Sequence, residues 1–217
     1  NSIINNVMIS YSADDSFECY GGQTDMYNLI SYKAKDDDFD FTLGYQGVLH
    51  NIMAIRHPYI SDISGSYAVE VVGYHTSDGF SELASLSNIR IKNTTFVNLA
   101  NQSNYQHTTA AISSKNLGRL SIIDSRVSGF ANVVKFDKTY KTYADLQKHF
   151  SFENGIFNVH STSVLTKNEL PTSTDKLLKY NMYTNQFRNV DDIFTDPLNE
   201  KNPKFTLKVS ESYTVMQ

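Results

Sequence analysis

The sequence predicts an all-β chain wound as a right-handed, single-stranded parallel β-helix, and three observations carry that prediction. Two acidic stretches repeat in register: Asp14 falls on Asp36, Asp15 on Asp37, Phe17 on Phe39 and Glu18 on Asp40, each 22 residues on. A period near 22 is that of one solenoid coil. Short runs rich in Val, Ile and Phe, bounded by Asn, Asp, Gly and Ser, read as strands rather than helices. The connections between them are long and uneven, whereas an antiparallel sandwich would show hairpin turns of about two to five residues.

The elements follow in order. "ISY" at Ile9–Tyr11 recurs at Ile30–Tyr32, 21 residues on, so one inserted residue is expected between this strand and the acidic turn. Equivalent residues of successive coils lie about 4.8 Å apart, which makes Phe17 over Phe39 an internal aromatic stack. Later layers begin at "NIMAI" (51–55), "NIRI" (88–91), "LSIIDSRV" (120–127) and "NGIFNVHS" (154–161), with growing spacers. Gly21 and Gly22, and Gly44 and Gly47, lack phosphate-loop spacing and read as turns. Residues 1–141 are assigned to the coils. Residues 142–217 are expected to hold further coils and an irregular, partly helical cap of the same domain, since a solenoid needs an atypical terminal unit. Within them, Tyr143, Leu146 and Phe150 suit one or two helical turns, Thr174 suits an N-cap, and Phe205, Leu207 and Val209 alternate as in a strand.

Composition removes several function classes. The formal charge is −4 with Lys and Arg scattered, which is not the footprint of a nucleic-acid binder. Cys19 is the only cysteine, excluding an internal disulfide or a multi-cysteine zinc site, and it reads as a buried apolar thiol. No run approaches the roughly 18 apolar residues of a membrane-spanning helix. The start lacks the basic and apolar regions of a signal peptide. It reads as the middle of a repeat, and an export signal, of the plain kind or of the kind ending in a lipidated Cys, is expected upstream. Oligomeric state is not legible.

The stretches "DDSFECYGG", "DDDFDFTLGYQG", "RHP", "DISGSYAVEV" and "IFTDP…KFTLKVSES" together resemble the right-handed β-helix surface proteins of Bacteroidetes, a group of lipoproteins and secreted proteins. The likeness runs over nearly the whole chain, strongly over residues 7–72 and weakly over 98–188. It implies a pectate-lyase-like solenoid outside the cytoplasm, at the cell surface or secreted. It brings no agreed active site.

Candidate residues therefore come from the ladder itself. Stacked Asp14, Asp15, Asp36, Asp37 and Asp38 would set like charges within about 5 Å, raising their pKa values unless a cation intervenes. Calcium accepts six to eight such oxygens in irregular geometry. Strand and turn capping by Asp side chains is the alternative. Glu18, Asp40 and Glu70 would share one outer face, and paired carboxylates at about 5–9 Å are the equipment of glycosidases. Arg56 and His57 would serve as charge clamp and base of a lyase, or Arg56 would pair with a nearby Asp. The chain has 14 Tyr and no Trp; Tyr45, Tyr59, Tyr67 and Tyr74 are the candidates to line a sugar-binding groove, having an apolar face and a hydroxyl. The leading expectation is a non-catalytic protein that contacts polysaccharide. A polysaccharide lyase or glycoside hydrolase, and a purely structural adhesin or stalk, stay open.

Overall fold

The computed structural model describes residues 2–75, 85–99, 110–168, 170, 177–178, 182–183, 193–199 and 201–208. Its strands build a parallel β-helix. One sheet consists of β1 (Ile3–Ser10), β3 (Asp25–Tyr32), β5 (Val48–Arg56), β7 (Asn88–Asn98), β9 (Arg119–Phe130), β11 (Phe150–Val159) and β13 (Met182–Tyr183), hydrogen-bonded in that order. The other consists of β2 (Phe17–Tyr20), β4 (Phe39–Thr42), β6 (Val69–Val72), β8 (Ala110–Lys115), β10 (Asn132–Phe136) and β12 (Val164–Thr166), again in order. Each coil therefore contributes one long strand and one short one.

The paired positions Val7, Leu29, Ile52, Thr94, Ser125 and Gly155 advance by 22, 23, 42, 31 and 30 residues. The early coils thus keep the period of the sequence and the later ones carry insertions. One expectation is corrected. Ile9 pairs with Ser31 and Ser10 with Tyr32, a step of 22, so no residue is inserted between strand and turn. Register follows which side chains face inward rather than letter identity. Ser31 takes the place of Ile9 because its hydroxyl has buried polar partners there.

β1, β3, β5, β7, β9 and β11 each bend at a residue in the left-handed region: Asn6, Asn28, Asn51, Asn93, Asp124 and Asn154, all with φ between 51° and 58°. Asn and Asp tolerate this conformation better than other non-glycine residues. Their side chains also link coil to coil: Asn28 Nδ2 donates to Asn5 Oδ1 (2.9 Å), Asn51 Nδ2 to Asn28 Oδ1 (2.6 Å) and Asn93 Nδ2 to Asn51 Oδ1 (3.3 Å). The turns after β2, β4 and β8 are left-handed too, at Gly21–Gly22, Leu43–Gly44 and Asn116–Leu117. The first Gly pair is used there as expected of turn glycines.

Inside the coils, the inward positions stack into apolar ladders. Phe17 pairs with Phe39, and their rings lie 5.0 Å apart at 6°. Fully burying one such side chain contributes about 1.5–3 kcal/mol. Cys19, half-buried over Phe41, packs on the same core. The only described helix, α1 (Tyr143–His149), enters after β10 with a capping box: Asp145 N–H donates to Thr142 Oγ1 (3.1 Å) and Thr142 N–H to Asp145 Oδ2 (2.8 Å). Its Leu146 is buried in the core. No described helix is long and apolar enough to cross a membrane.

β14 (Phe194–Asp196) and β15 (Lys204–Leu207) form an antiparallel pair. It lies on the flank of the long-strand sheet, where Ile193 and Phe194 pack with Tyr32, Ile55 and Val97. Phe205 meets the Tyr32 ring at 5.3 Å. The N-cap expected at Thr174 and the strand position Val209 lie outside the described residues.

Candidate functional site

The acidic turns precede the short strands, and bends at their entry send neighbouring aspartates in opposite directions. Asp38 and Arg56 are both 0% exposed, joined by an ion pair of 2.7 Å between Asp38 Oδ2 and Arg56 Nη1. Ser31 Oγ donates to Asp38 Oδ1. Arg56 also donates to the Tyr67 carbonyl (3.0 Å) and, at 3.4 Å, to that of Ala34. Of the two readings of Arg56, the structure shows the pair with a nearby Asp, and one expectation is corrected: Asp38 belongs to this interior pair rather than to a cluster of calcium ligands. The αL turn at Lys33 and the bend at Asp38 bring the two side chains together across the coil.

The remaining acids gather outside. Three overlapping trios have carboxylate oxygens within 4.8 Å of one another: Asp14, Asp15 and Asp36; Asp15, Glu18 and Asp40; Asp37, Asp40 and Glu70. The register explains the second and third, because Glu18 pairs with Asp40 and Asp40 with Glu70 on consecutive short strands. Two of these aspartates also act as coil-to-coil caps. Asp15 Oδ1 accepts the Asp37 N–H (2.8 Å), and Asp37 Oδ1 accepts the Tyr67 N–H (2.6 Å). Asp36 Oδ1 and Asp40 Oδ1 are buried atoms with no hydrogen-bond partner among the described residues.

Burial and mutual repulsion raise the pKa values. Burial, with Glu70, Asp15 and Glu18 adding repulsion against the pull of Lys115, pushes Asp40 up to about 8. Burial also pushes Asp15 up to about 6, against the lowering effect of the Asp37 N–H. Asp37 rises well above the usual range through burial and Glu70, although Arg56 pulls it down. Asp36 rises through burial and Asp62. Two oxygens on one calcium ion, each at 2.3–2.6 Å, are at most about 5 Å apart, so the spacing of each trio fits such an ion. Lys115 already supplies a positive charge at the third trio, at 2.7 Å from Glu70. Burial pulls the Lys115 pKa down, but Glu70 outweighs it and the result is raised.

The sequence passes over two cations on this face. Glu70 pairs with Ser113, and Ser113 with Lys135, so the outer ladder runs Glu18, Asp40, Glu70, Ser113, Lys135. Lys115 lies two residues along β8 from Ser113. Lys115 and Lys135 stand over the Tyr67 ring at 5.9 and 5.7 Å, and Lys135 Nζ donates to Tyr67 Oη (3.2 Å). The only signal for them was a lysine at an outward position of a strand, and the insertions before β6 and β8 hid the register.

The tyrosines do not form one exposed groove. Tyr45 is buried, stacked on Phe41 at 4.9 Å with its hydroxyl donated to the Thr24 carbonyl. Tyr67 is buried under the two lysines. Tyr59 is 81% exposed and Tyr74 half-buried. The αL pair Leu43–Gly44 turns Tyr45 into the coil, away from any sugar-binding groove. His57 is half-buried beside Tyr59, its Nδ1 accepting the Tyr59 N–H (3.3 Å). Burial, with Lys33 adding, lowers its pKa.

No curated protein and no solved structure matches the chain. A family of pectate-lyase-like beta helix domains matches it over residues 1–195 of 217. The coil-by-coil register, the two parallel sheets and that match agree, and the chain belongs to the pectate-lyase-like β-helix domain family.

Proposed function

We propose that this β-helix acts outside the cytoplasm and binds a polysaccharide, without cleaving it, along the outer face of the short-strand sheet. One observation supports this most: hydrogen-bonding and charged groups recur there once per coil, from Glu18 through Asp40 and Glu70 to Lys135. Their repeat of about 4.8 Å sets a straight row of contacts that suits a linear polymer. Arg56, the candidate charge clamp of a lyase, is buried on Asp38 and does not face this row. Fold kinship by itself supports no activity. The likeness to lipoproteins of Bacteroidetes supports a cell-surface location, and a native product retained in the cytoplasm would count against it.

The test is a glycan array run beside reducing-sugar and unsaturated-uronate assays on the same polysaccharides, with the parent and Lys135→Ala. Retention of a polysaccharide, weakened in the variant and without new product, is the expected result. Product formation that disappears in Asp40→Asn would replace binding by catalysis, and no retention at all would refute the reading. Calcium is proposed to bridge the acidic trios. A ligand that binds only the folded state adds about 2.7 kcal/mol at a hundred times its Kd. Calcium should therefore raise the melting temperature relative to chelator in the parent and less so in Asp15→Asn and Asp37→Asn; a parent that ignores calcium leaves the aspartates as turn caps alone.

A further inference from the structure

A second polar feature lies around the corner from the acidic face, where the long strands begin. There a cleft of about 260 Å³ crosses three coils. Two outward rows form its walls. In one, the exposed carboxamides of Gln23, Gln46 and Asn88 stand in line, held by the backbone bonds Gln46 N–H to Gly22 O (2.9 Å) and Asn88 N–H to Tyr45 O (2.8 Å). In the other, Asp25, Val48 and Arg90 succeed one another; Val48 pairs with Arg90, and Asp25 Oδ1 accepts the Val48 N–H (3.0 Å). Gly47 lies between the rows, and a Cβ there would come within 2.1 Å of Tyr45 Oη.

The chemistry of these walls is selective. Arg90 forms no ion pair among the described residues, so its fork of donors is available to a planar or tetrahedral anion. Asp25 has one oxygen engaged by the backbone and, among the described residues, one left to accept from a hydroxyl. The carboxamides both donate and accept, as ring hydroxyls do. Half-buried Val48 offers the small apolar surface that a sugar ring presents to a protein. Asp25 and Arg90 are two coils apart, about 9.6 Å at the strand spacing, which separates an anion-binding end from a hydroxyl-binding end. Ligand pockets start at about 300 Å³, so the cleft takes one sugar unit rather than a longer piece of polymer.

We infer that this cleft is a binding site for a single anionic sugar unit, its carboxylate or sulfate on Arg90 and its hydroxyls on Asp25 and the carboxamide row. The site does not depend on the polysaccharide face of the other sheet. Saturation-transfer NMR and titration calorimetry on the intact chain test it with glucuronate, glucose 6-sulfate and neutral glucose. At least one anion should bind, with glucose at least about tenfold weaker, the loss expected when a charge-assisted hydrogen bond is removed. Arg90→Gln, an exposed substitution, should lower the affinity for that anion about tenfold or more. Lys148→Gln, which removes the same charge from exposed α1, should leave it unchanged. Absence of binding by both anions at millimolar concentration overturns the inference, as does equal affinity for glucose or undiminished affinity in Arg90→Gln. Polysaccharide retention, judged with Lys135→Ala, leaves Arg90 intact, so either proposal can fail alone.

Discussion

Replacing Asp38 by Asn removes one charge from an ion pair that has no access to water. The asparagine keeps the volume and an acceptor for Ser31, but the Arg56 guanidinium, 0% exposed, loses its hydrogen-bonded counter-charge and keeps only the less direct pull of Asp36 and Asp37. Its Nε has no hydrogen-bond partner among the described residues, so little remains to stabilise the charge. Breaking one side of a buried pair typically costs about 3–5 kcal/mol. For a domain of this size each kcal/mol moves the melting temperature by about 2–4 °C, which gives a fall of about 6–20 °C. Calorimetry measures this directly. The companion variant, Asp38→Leu with Arg56→Met, removes both charges and should recover to within about 1 kcal/mol of the parent or exceed it. A single variant that melts within about 3 °C of the parent, or a double variant as unstable as the single, would refute the argument from desolvation.

Asn51 holds its strand bend at a φ of 58° and joins the coils on both sides through its side chain. Chemical denaturation should show Asn51→Ala less stable than Asn51→Gly by about 1 kcal/mol, because only glycine adopts the bend without strain; the reverse order would mean that the bend is unstrained. The raised acids predict a pH dependence. Asp40 at about 8 and Asp15 at about 6 bind protons more readily folded than unfolded, so their contribution is fully present below about pH 4 and is lost as pH rises through the folded values. The melting temperature should therefore fall between about pH 5 and 8.5, and Asp40→Asn should flatten the fall; a parent more stable at the higher pH contradicts the burial of these groups. Gly47→Ala would place a methyl 2.1 Å from Tyr45 Oη and 2.8 Å from the Thr24 carbonyl, and should destabilise by about 1–3 kcal/mol; unchanged stability would show that Tyr45 can move aside.

The first two coils were legible because nothing is inserted between them, so identical letters meet. Phe17 over Phe39 and Glu18 over Asp40 could be read by subtraction. Even there "ISY" misled by one residue, since a buried serine with polar partners can replace an isoleucine. Beyond Asp40 the coils lengthen unevenly. The pairing of Glu70 with Ser113 spans 43 residues, and no pattern in the letters fixes a register across so long a connection. Lys115 and Lys135 were lost for that reason, and so was the row of Gln46 and Asn88. The Asp38–Arg56 pair depends on loop geometry: the sequence shows three adjacent aspartates but not which of them turns inward. Tyr45 likewise required knowledge of the left-handed turn before it.

A solenoid whose coils touch only their neighbours can fray from an end, one layer at a time. The β14–β15 hairpin alters that expectation. Through Tyr32, Ile55 and Val97 it rests on β3, β5 and β7, and Ile156 of β11 packs on the same cluster. The hairpin thus clasps β3, β5 and β7 from far along the sequence, and loosening one of those coils also exposes the apolar side of the clasp. Unfolding acquires a long-range coupling that nearest-neighbour stacking lacks. Correspondingly, the early coils reach their full stability only after β14 and β15 have been made and have docked.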